Sequence, residues 1–332
     1  MDIKACRAAT ISATKWLLTQ QDPDGSFRPV ERGVASYHKV PYALALMGQG
    51  ERVAKLCSWI SANAMDEDGD LTLLYPRQGL HSQFYPIANA WVLIGAQVSG
   101  QFRVSVPAAG FLTSLQHPQT GGFLQGGPEA ALDSEQDAMT TATAGLACLY
   151  AGQFEAAEKA GDYLVHLLEA QPASAPRLFF VTRNGLDLVR EYPEEEAAAY
   201  AIAVGKEQQW YHVAGLAAGF LARLSEATGD ENFLSIAGQY LNAADSCGSD
   251  RYTAETSAFF GWGAAVLHAV TGIANFRRIA VAVADGLLEV QLANGSWLKA
   301  SFGEDEESDV VDATAEGIIA MTAILQALAT GE

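Results

Sequence analysis

Two kinds of helix alternate along this chain, and every second one has no face that tolerates water. Apolar residues recur at helical spacing from one end to the other, without a convincing alternation of strands and helices. The spacing predicts helices over residues 4–20, 37–48, 50–63, 82–98, 103–116, 134–150, 153–170, 207–226, 230–245, 253–270, 274–291 and 309–329. The first, third and later odd members are amphipathic. "FEAAEKAGDYLVHLLEAQ" gathers Phe154, Ala157, Tyr163, Leu164, Leu167 and Leu168 towards one side, with Glu155, Glu158, Lys159 and Asp162 mostly elsewhere, as a surface helix requires. The even members are apolar or small nearly all round: "TTATAGLACLYAG", "HVAGLAAGFLARL", "TSAFFGWGAAVLHAV" and "AEGIIAMTAILQALA". A helix without a polar face is buried. Outer then inner, six times over, predicts an all-α (α/α)6 barrel, a ring of six inner helices inside a ring of six outer ones.

The turns repeat as well. "QDPDGSF" at 21–27, "QHPQTGGF" at 116–123 and "QLANGSW" at 291–297 each follow an amphipathic helix. Gly supplies a backbone conformation that other residues avoid, and the aromatic packs back on the helix ends. A closed ring explains their position, because its last hairpin must meet its first. In these turns the chain resembles the terpenoid cyclase and protein prenyltransferase superfamily, whose QW repeats they match in degenerate form. The resemblance implies the α/α toroid over essentially the whole chain. It does not extend to catalytic motifs: the DxDD acid motif of class II cyclases is absent, and "DSEQD" and "DVVD" do not match it. The prenyltransferase zinc set, an Asp, a Cys two residues on and a distant His, finds only Asp245 and Cys247, at the end of an outer helix. Single-domain α/α toroids also include glycoside hydrolases, sugar epimerases and polysaccharide lyases, and "LARLSEATGDENFLSIAGQYL" is similar to a helix-loop-helix common in them.

A length of 332 residues allows one large core or two domains, and the unbroken alternation favours one domain over 1–332. The segment 171–196 interrupts the rhythm with prolines and a possible strand pair, "RLFFVT" and "LDLVRE", and reads as an excursion over the barrel mouth. Its Arg177, Arg183 and Arg190 stand out in a chain of net charge -19. That charge argues against nucleic acid and anionic membrane surfaces as partners. Cys6, Cys57, Cys148 and Cys247 are isolated in apolar helical runs, without a CxxC pair. Buried reduced thiols and a cytoplasmic location are expected. No signal-peptide pattern opens the chain, and "AAVLHAVTGIANF", the nearest approach to a membrane span, is too short.

Each inner helix opens with polar and aromatic residues: "SYHKVPY", "HSQFYPIANAW", "DSEQDAM", "EQQWYHV", "RYTAETSAFF" and "SDVVDATAEG". Buried helices that carry such residues at their N-termini share one mouth. The carboxylates there are Asp137, Glu207, Glu255, Asp309, Asp312 and Glu316; Asp133 sits four residues before Asp137 on the same expected face. Carboxylates crowded in a low-dielectric mouth repel one another and can act as acids, although acidic residues also cap helices. The periodicity makes Asp137 the acid and Asp133 the cap. His38, His81 and His212 lie at mouth positions, while His117, His166 and His268 do not. Aromatic candidates are Tyr37, Tyr42, Tyr85, Trp210, Tyr211 and Phe259.

These residues lead to an expected cofactor-independent lyase, isomerase or cyclase acting on a mainly apolar small molecule. Asp137, Asp312 or Glu255 would donate a proton, and His38, His81 or His212 would accept one. Tyr85 or Tyr211 would orient the substrate. Trp210, Tyr37, Tyr42, Phe259, Glu207, Asp309 and Glu316 would bind it. Two alternatives stay open: a carbohydrate-active toroid enzyme, and a non-enzymatic binding or scaffold protein. Neither a nucleotide cofactor nor a tightly held metal is expected, since GxSxG, Walker A, GxGxxG and HExxH motifs are all absent. Oligomeric state is left open.

Overall fold

The computed structural model describes residues 1–27, 37–71, 79–172, 176–297 and 310–329. Outer helices are α1 (Ile3–Thr19), α3 (Gly50–Asn63), α5 (Phe102–Ser114), α7 (Phe154–Glu169), α9 (Asn232–Asp245) and α11 (Ala274–Val290). Inner helices are α2 (Val40–Leu46), α4 (Pro86–Val98), α6 (Ala138–Tyr150), α8 (Tyr211–Thr228), α10 (Ser257–Thr271) and α12 (Val310–Ala329). In the inner ring α2 packs on α4, α4 on α6, α6 on α8, α8 on α10, α10 on α12, and α12 back on α2. The ring is closed, and each inner helix also packs on an outer one. The all-α toroid expected from the alternation is therefore the observed architecture. α12 is long and apolar enough to cross a membrane, contrary to the expectation that no stretch reaches that length; in the toroid it is mostly buried as an inner helix.

The repeated turns dock α1 on α3, α5 on α7 and α11 on α1. Gln21 Nε2 donates to Gly25 O within its own turn at 3.2 Å and to Arg52 O of α3 at 3.0 Å. Gln116 Nε2 donates to Gly121 O and to Ala156 O of α7, both at 2.8 Å. Gln291 Nε2 donates to Gly295 O at 2.8 Å and to Ala9 O of α1 at 3.0 Å. One amide thus ties a turn to itself and to a carbonyl that already belongs to a helix ladder, using that oxygen's second lone pair. The glycines sit at φ 101°, 78° and 95°, and each presses against the next outer helix three residues beyond the bonded carbonyl, at Lys55, Lys159 and Ser12. A Cβ on any of them would overlap that helix. Gly69, at φ 94°, packs on Pro107 of α5 in the same way without the glutamine. Phe27, Phe123 and Trp297 follow these turns fully buried.

The excursion is longer than expected. β3 (Val181–Arg183) pairs with β4 (Asp187–Leu188) and with β1 (Gln136–Asp137), while β2 (Arg177–Phe179) pairs with β5 (Ala201–Ala203). Residues 134–137 are therefore outside α6, and the helix expected from 134 starts four residues later.

Glycine faces set the closest inner contact. A Cβ on Gly215 of α8 would overlap the Phe259 carbonyl of α10, and one on Gly263 of α10 would overlap the Gly215 carbonyl. Backbone on both sides cannot move aside, so Gly215→Ala should destabilise by about 3 kcal/mol. Gly110 of α5 is exposed with nothing near its Cβ position, and Gly110→Ala should stabilise by up to ~1 kcal/mol. Urea denaturation of the two variants checks both signs.

Candidate active site

The N-terminal ends of all six inner helices line one cavity of about 250 Å³. His38 and Lys39 enter from α2, His81, Phe84 and Trp91 from α4 and its preceding turn, and Met139 and Thr143 from α6. Trp210 and His212 come from α8, Glu255 and Phe259 from α10, and Asp312 and Glu316 from α12, with Trp297 from the last turn. The walls are aromatic: Trp91 stacks on Phe259 at 5.0 Å, and Phe84 meets Trp210 edge-on at 5.7 Å.

Asp312 and Glu316 are four residues apart on α12, so helical geometry aims both carboxylates the same way. Both reach Lys39: the ammonium pairs with Asp312 and lies 3.0 Å from Glu316. Lys39 also stands over the Phe259 ring at 5.8 Å. Asp312 holds a second partner, since its Oδ1 lies 3.4 Å from His38 Nδ1. The His38 and His81 rings meet edge-on at 5.6 Å. Burial disfavours every charge in this group. For Lys39 the attraction of Asp312 and Glu316 outweighs burial and raises its pKa well above the ordinary lysine value. For Asp312 burial acts upward, but His38, Lys39 and His81 prevail and hold the carboxyl below its usual range. Glu316 goes the other way: burial and the Asp312 charge raise it, although Lys39 opposes them.

Across the ring, burial and then the Lys39 charge push His212 down to about 3, so its imidazole is neutral at physiological pH. Its Nε2 contacts Met139 Sδ at 3.1 Å, and Trp210 covers it at 5.5 Å. The site therefore sets a fixed ammonium, a carboxyl held below its usual range and a second carboxyl raised above its own against an unprotonated imidazole.

Of the residues expected at the mouth, His38, His81, His212, Trp210, Glu255, Phe259, Asp312 and Glu316 line the cavity together. Asp309 lies outside the described residues. Asp137 does not line it. With residues 134–137 extended, Asp133 and Asp137 share no helix face, and Asp133 is exposed in a turn. Asp137 is itself the cap of α6: its Oδ1 accepts from the Thr140 N–H at 2.8 Å, and it is 2 % exposed beneath β3. Burial raises its carboxyl, against the hydrogen bond from Thr140. The cap is therefore Asp137 and not Asp133. Tyr85 donates to Asp70 and Tyr211 to Asp250 at 2.5 Å, both outside the cavity lining. Tyr37 packs between Phe27 and Trp59, and Tyr42 meets the Tyr150 hydroxyl at 3.2 Å. Glu207 accepts from Ser249 at 2.6 Å on the exterior. The excursion arginines do not reach the cavity either; Arg183 pairs with Glu135. Asp245 is taken up by Arg251, Arg278 and Tyr252, and Cys247 is a buried thiol pushed up to about 11 by burial.

Lys39 is the residue that sequence reasoning missed. Its segment, "SYHKVPY", shows a lone lysine between a histidine and an apolar helix, and nothing in it points to the carboxylates of α12.

No known family profile matches the chain, and no curated protein does. Solved structures match over nearly its full length. A D-mannose isomerase shares 10% identity at a TM-score of 0.72, covering 97% of each chain. A GH76 α-mannanase of Bacteroides thetaiotaomicron shares 13% at 0.67, covering 100% of this chain and 98% of its own. A type II terpene cyclase from Scytonema shares 12% at 0.63, covering 98% and 99%. The fold is thus common to toroids of several kinds, and the resemblance to terpenoid cyclases is one among them.

Lys39→Met would leave Glu316 buried beside Asp312 without its cation, while His38 still faces Asp312. The folded pKa of Glu316 would then lie further above the unfolded value of about 4, so its contribution to stability is intact below that pH and is lost as pH rises through the folded value. The variant should be about 3 kcal/mol less stable than wild type near pH 8, with the gap closing towards about pH 4. Urea titrations across that range measure it.

Proposed function

We propose that this protein is a carbohydrate-active enzyme that needs no cofactor and moves a proton on a single sugar-sized hydroxy-carbonyl compound, as an isomerase or epimerase. The observation that carries this reading is the neutral His212 opposite the Lys39, Asp312 and Glu316 cluster in one small cavity. A volume of about 250 Å³ lies at the small end of ligand pockets, which run from roughly 300 to 1,000 Å³. That suits one sugar ring and is cramped for a long isoprenoid. The density of ionisable groups also favours a polar substrate over the mainly apolar one expected first, while the aromatic walls can stack on a sugar face.

The chemistry follows from charge. His212 takes the proton from the carbon next to the carbonyl. The carbonyl oxygen gains negative charge beside Lys39 and receives a proton from Glu316. Lys39 disfavours imidazolium in the free site. As negative charge builds beside Lys39 that repulsion is cancelled, so His212 becomes a stronger base as the reaction proceeds. His38, held at Nδ1 by Asp312, comes from α2, and α2 stands opposite α8 in the six-helix ring. Delivery of that proton by His212 to the former carbonyl carbon, with the neighbouring hydroxyl proton passing to Glu316, gives an aldose–ketose isomer; delivery of a proton to the original carbon from the opposite wall, with the enol proton returning to Glu316, inverts that carbon.

Incubation with aldohexoses and ketohexoses in deuterated water tests the reading. Deuterium should enter at the carbon beside the carbonyl, seen by proton NMR, and His212→Asn should slow it by at least about 100-fold. Cleavage of oligosaccharides without exchange would move the assignment to a glycosidase, and binding without turnover to a non-enzymatic role.

A further inference from the structure

The contact between His212 and Met139 decides which nitrogen of the imidazole is available. A thioether sulfur has no proton to donate and only weak acceptor capacity. Met139 Sδ lies 3.1 Å from His212 Nε2, within reach of a hydrogen carried on that nitrogen. Two lone pairs facing each other at that distance would repel. The contact is attractive only with the hydrogen on Nε2. A neutral ring carries one N–H, and the nitrogen that bears it is set by the partner of the other. Nδ1 is then bare, and it makes no hydrogen bond among the described residues.

Both side chains are held for this contact. Met139 and His212 occupy the second positions of α6 and α8, neighbours in the inner ring. Met139 is 8 % exposed, and Trp210 lies against the His212 ring. The methionine fills its place without offering a competing donor. An amide or hydroxyl there could bond either nitrogen state.

We infer that Met139 is a positioning residue: its sulfur holds His212 in the Nε2–H form, so that Nδ1 is the nitrogen that meets the substrate. This rests on the proposed proton transfer for its role in turnover, though not for the state of the ring.

Nitrogen-15 NMR of histidine-labelled protein at neutral pH tests it. The chain has six histidines, and His212→Asn identifies the signals of interest. Wild type should show a protonated-type Nε2 and an unprotonated-type Nδ1. Met139→Leu keeps the size and removes the acceptor. Its two nitrogen signals should move towards each other, and kcat should fall about tenfold with KM changed less than about twofold. A wild-type proton on Nδ1 overturns the inference. So does a leucine variant with unchanged nitrogen signals, or one whose signals move while kcat does not. The signals are read on the free protein, so a wild type that turned over none of the sugars would remove the proposed function and leave NMR to decide the ring state.

Discussion

Closure of the inner ring is the constraint on which the rest depends. Helices such as α6, α8 and α10 have no side that can face water, so each needs an inner neighbour on both flanks and an outer helix behind. A linear stack would leave its two end helices bare. The chain meets the requirement with a turn that carries its own docking chemistry. A glutamine amide bridges its turn and the next outer helix, and a left-handed glycine lies flat where no side chain fits. Used between α11 and α1, the same device joins the last outer helix to the first. Because closure points every inner N-terminus at one mouth, polar residues scattered from His38 to Glu316 converge on one cavity.

How much of this was legible follows from where the signal is strong. Outer helices were read nearly to their ends, since an amphipathic stripe stops where its turn begins: 50–63 was expected and Gly50–Asn63 observed. Inner helices were read as starting at 37, 82, 134, 207 and 253, and they start at Val40, Pro86, Ala138, Tyr211 and Ser257. The polar openings fit helical spacing as well as any run of mixed residues, but they lie in turns and strands ahead of the helix. That displacement misplaced Asp137. A carboxylate imagined inside a helix became the residue before it, where its oxygen is claimed by the Thr140 amide. Asp312 and Glu316 escaped the error because they lie within α12, where spacing of four does mean a shared face. Tyr85 and Tyr211 were picked for being at the mouth, but burial of a phenol demands a partner, and Asp70 and Asp250 supply it away from the cavity. Lys39 could not be recognised from its own segment. Its importance comes from α12, 273 residues further along the chain.

The cavity concentrates charge that the rest of the molecule spreads out. A net charge of -19 is spread over a solvated exterior, where each carboxylate is screened and inexpensive. Inside, a few charges decide everything. Burying Lys39, Asp312 and Glu316 together is costly, and well-packed apolar residues would often be as stable or more so. Such a cluster makes physical sense where a fixed cation and a carboxyl of raised proton affinity are required at one spot. His212 completes the balance by staying neutral, since a second cation beside Lys39 would be repelled.

The order in which the ring is assembled has its own consequence. α2 packs on α12, and α1 packs on both α11 and α12, so helices early in the ring have partners far later in sequence, 273 residues on for Lys39 and Asp312. Until Val310–Ala329 leaves the ribosome, the apolar flanks of α2 and α10 lack their common neighbour. Hairpins in the middle of the ring can dock as they appear, but the inner ring closes only once α12 is present. Final folding is thus a long-range event, slow by virtue of sequence separation, and the unfinished ring presents the kind of sticky surface that chaperones hold.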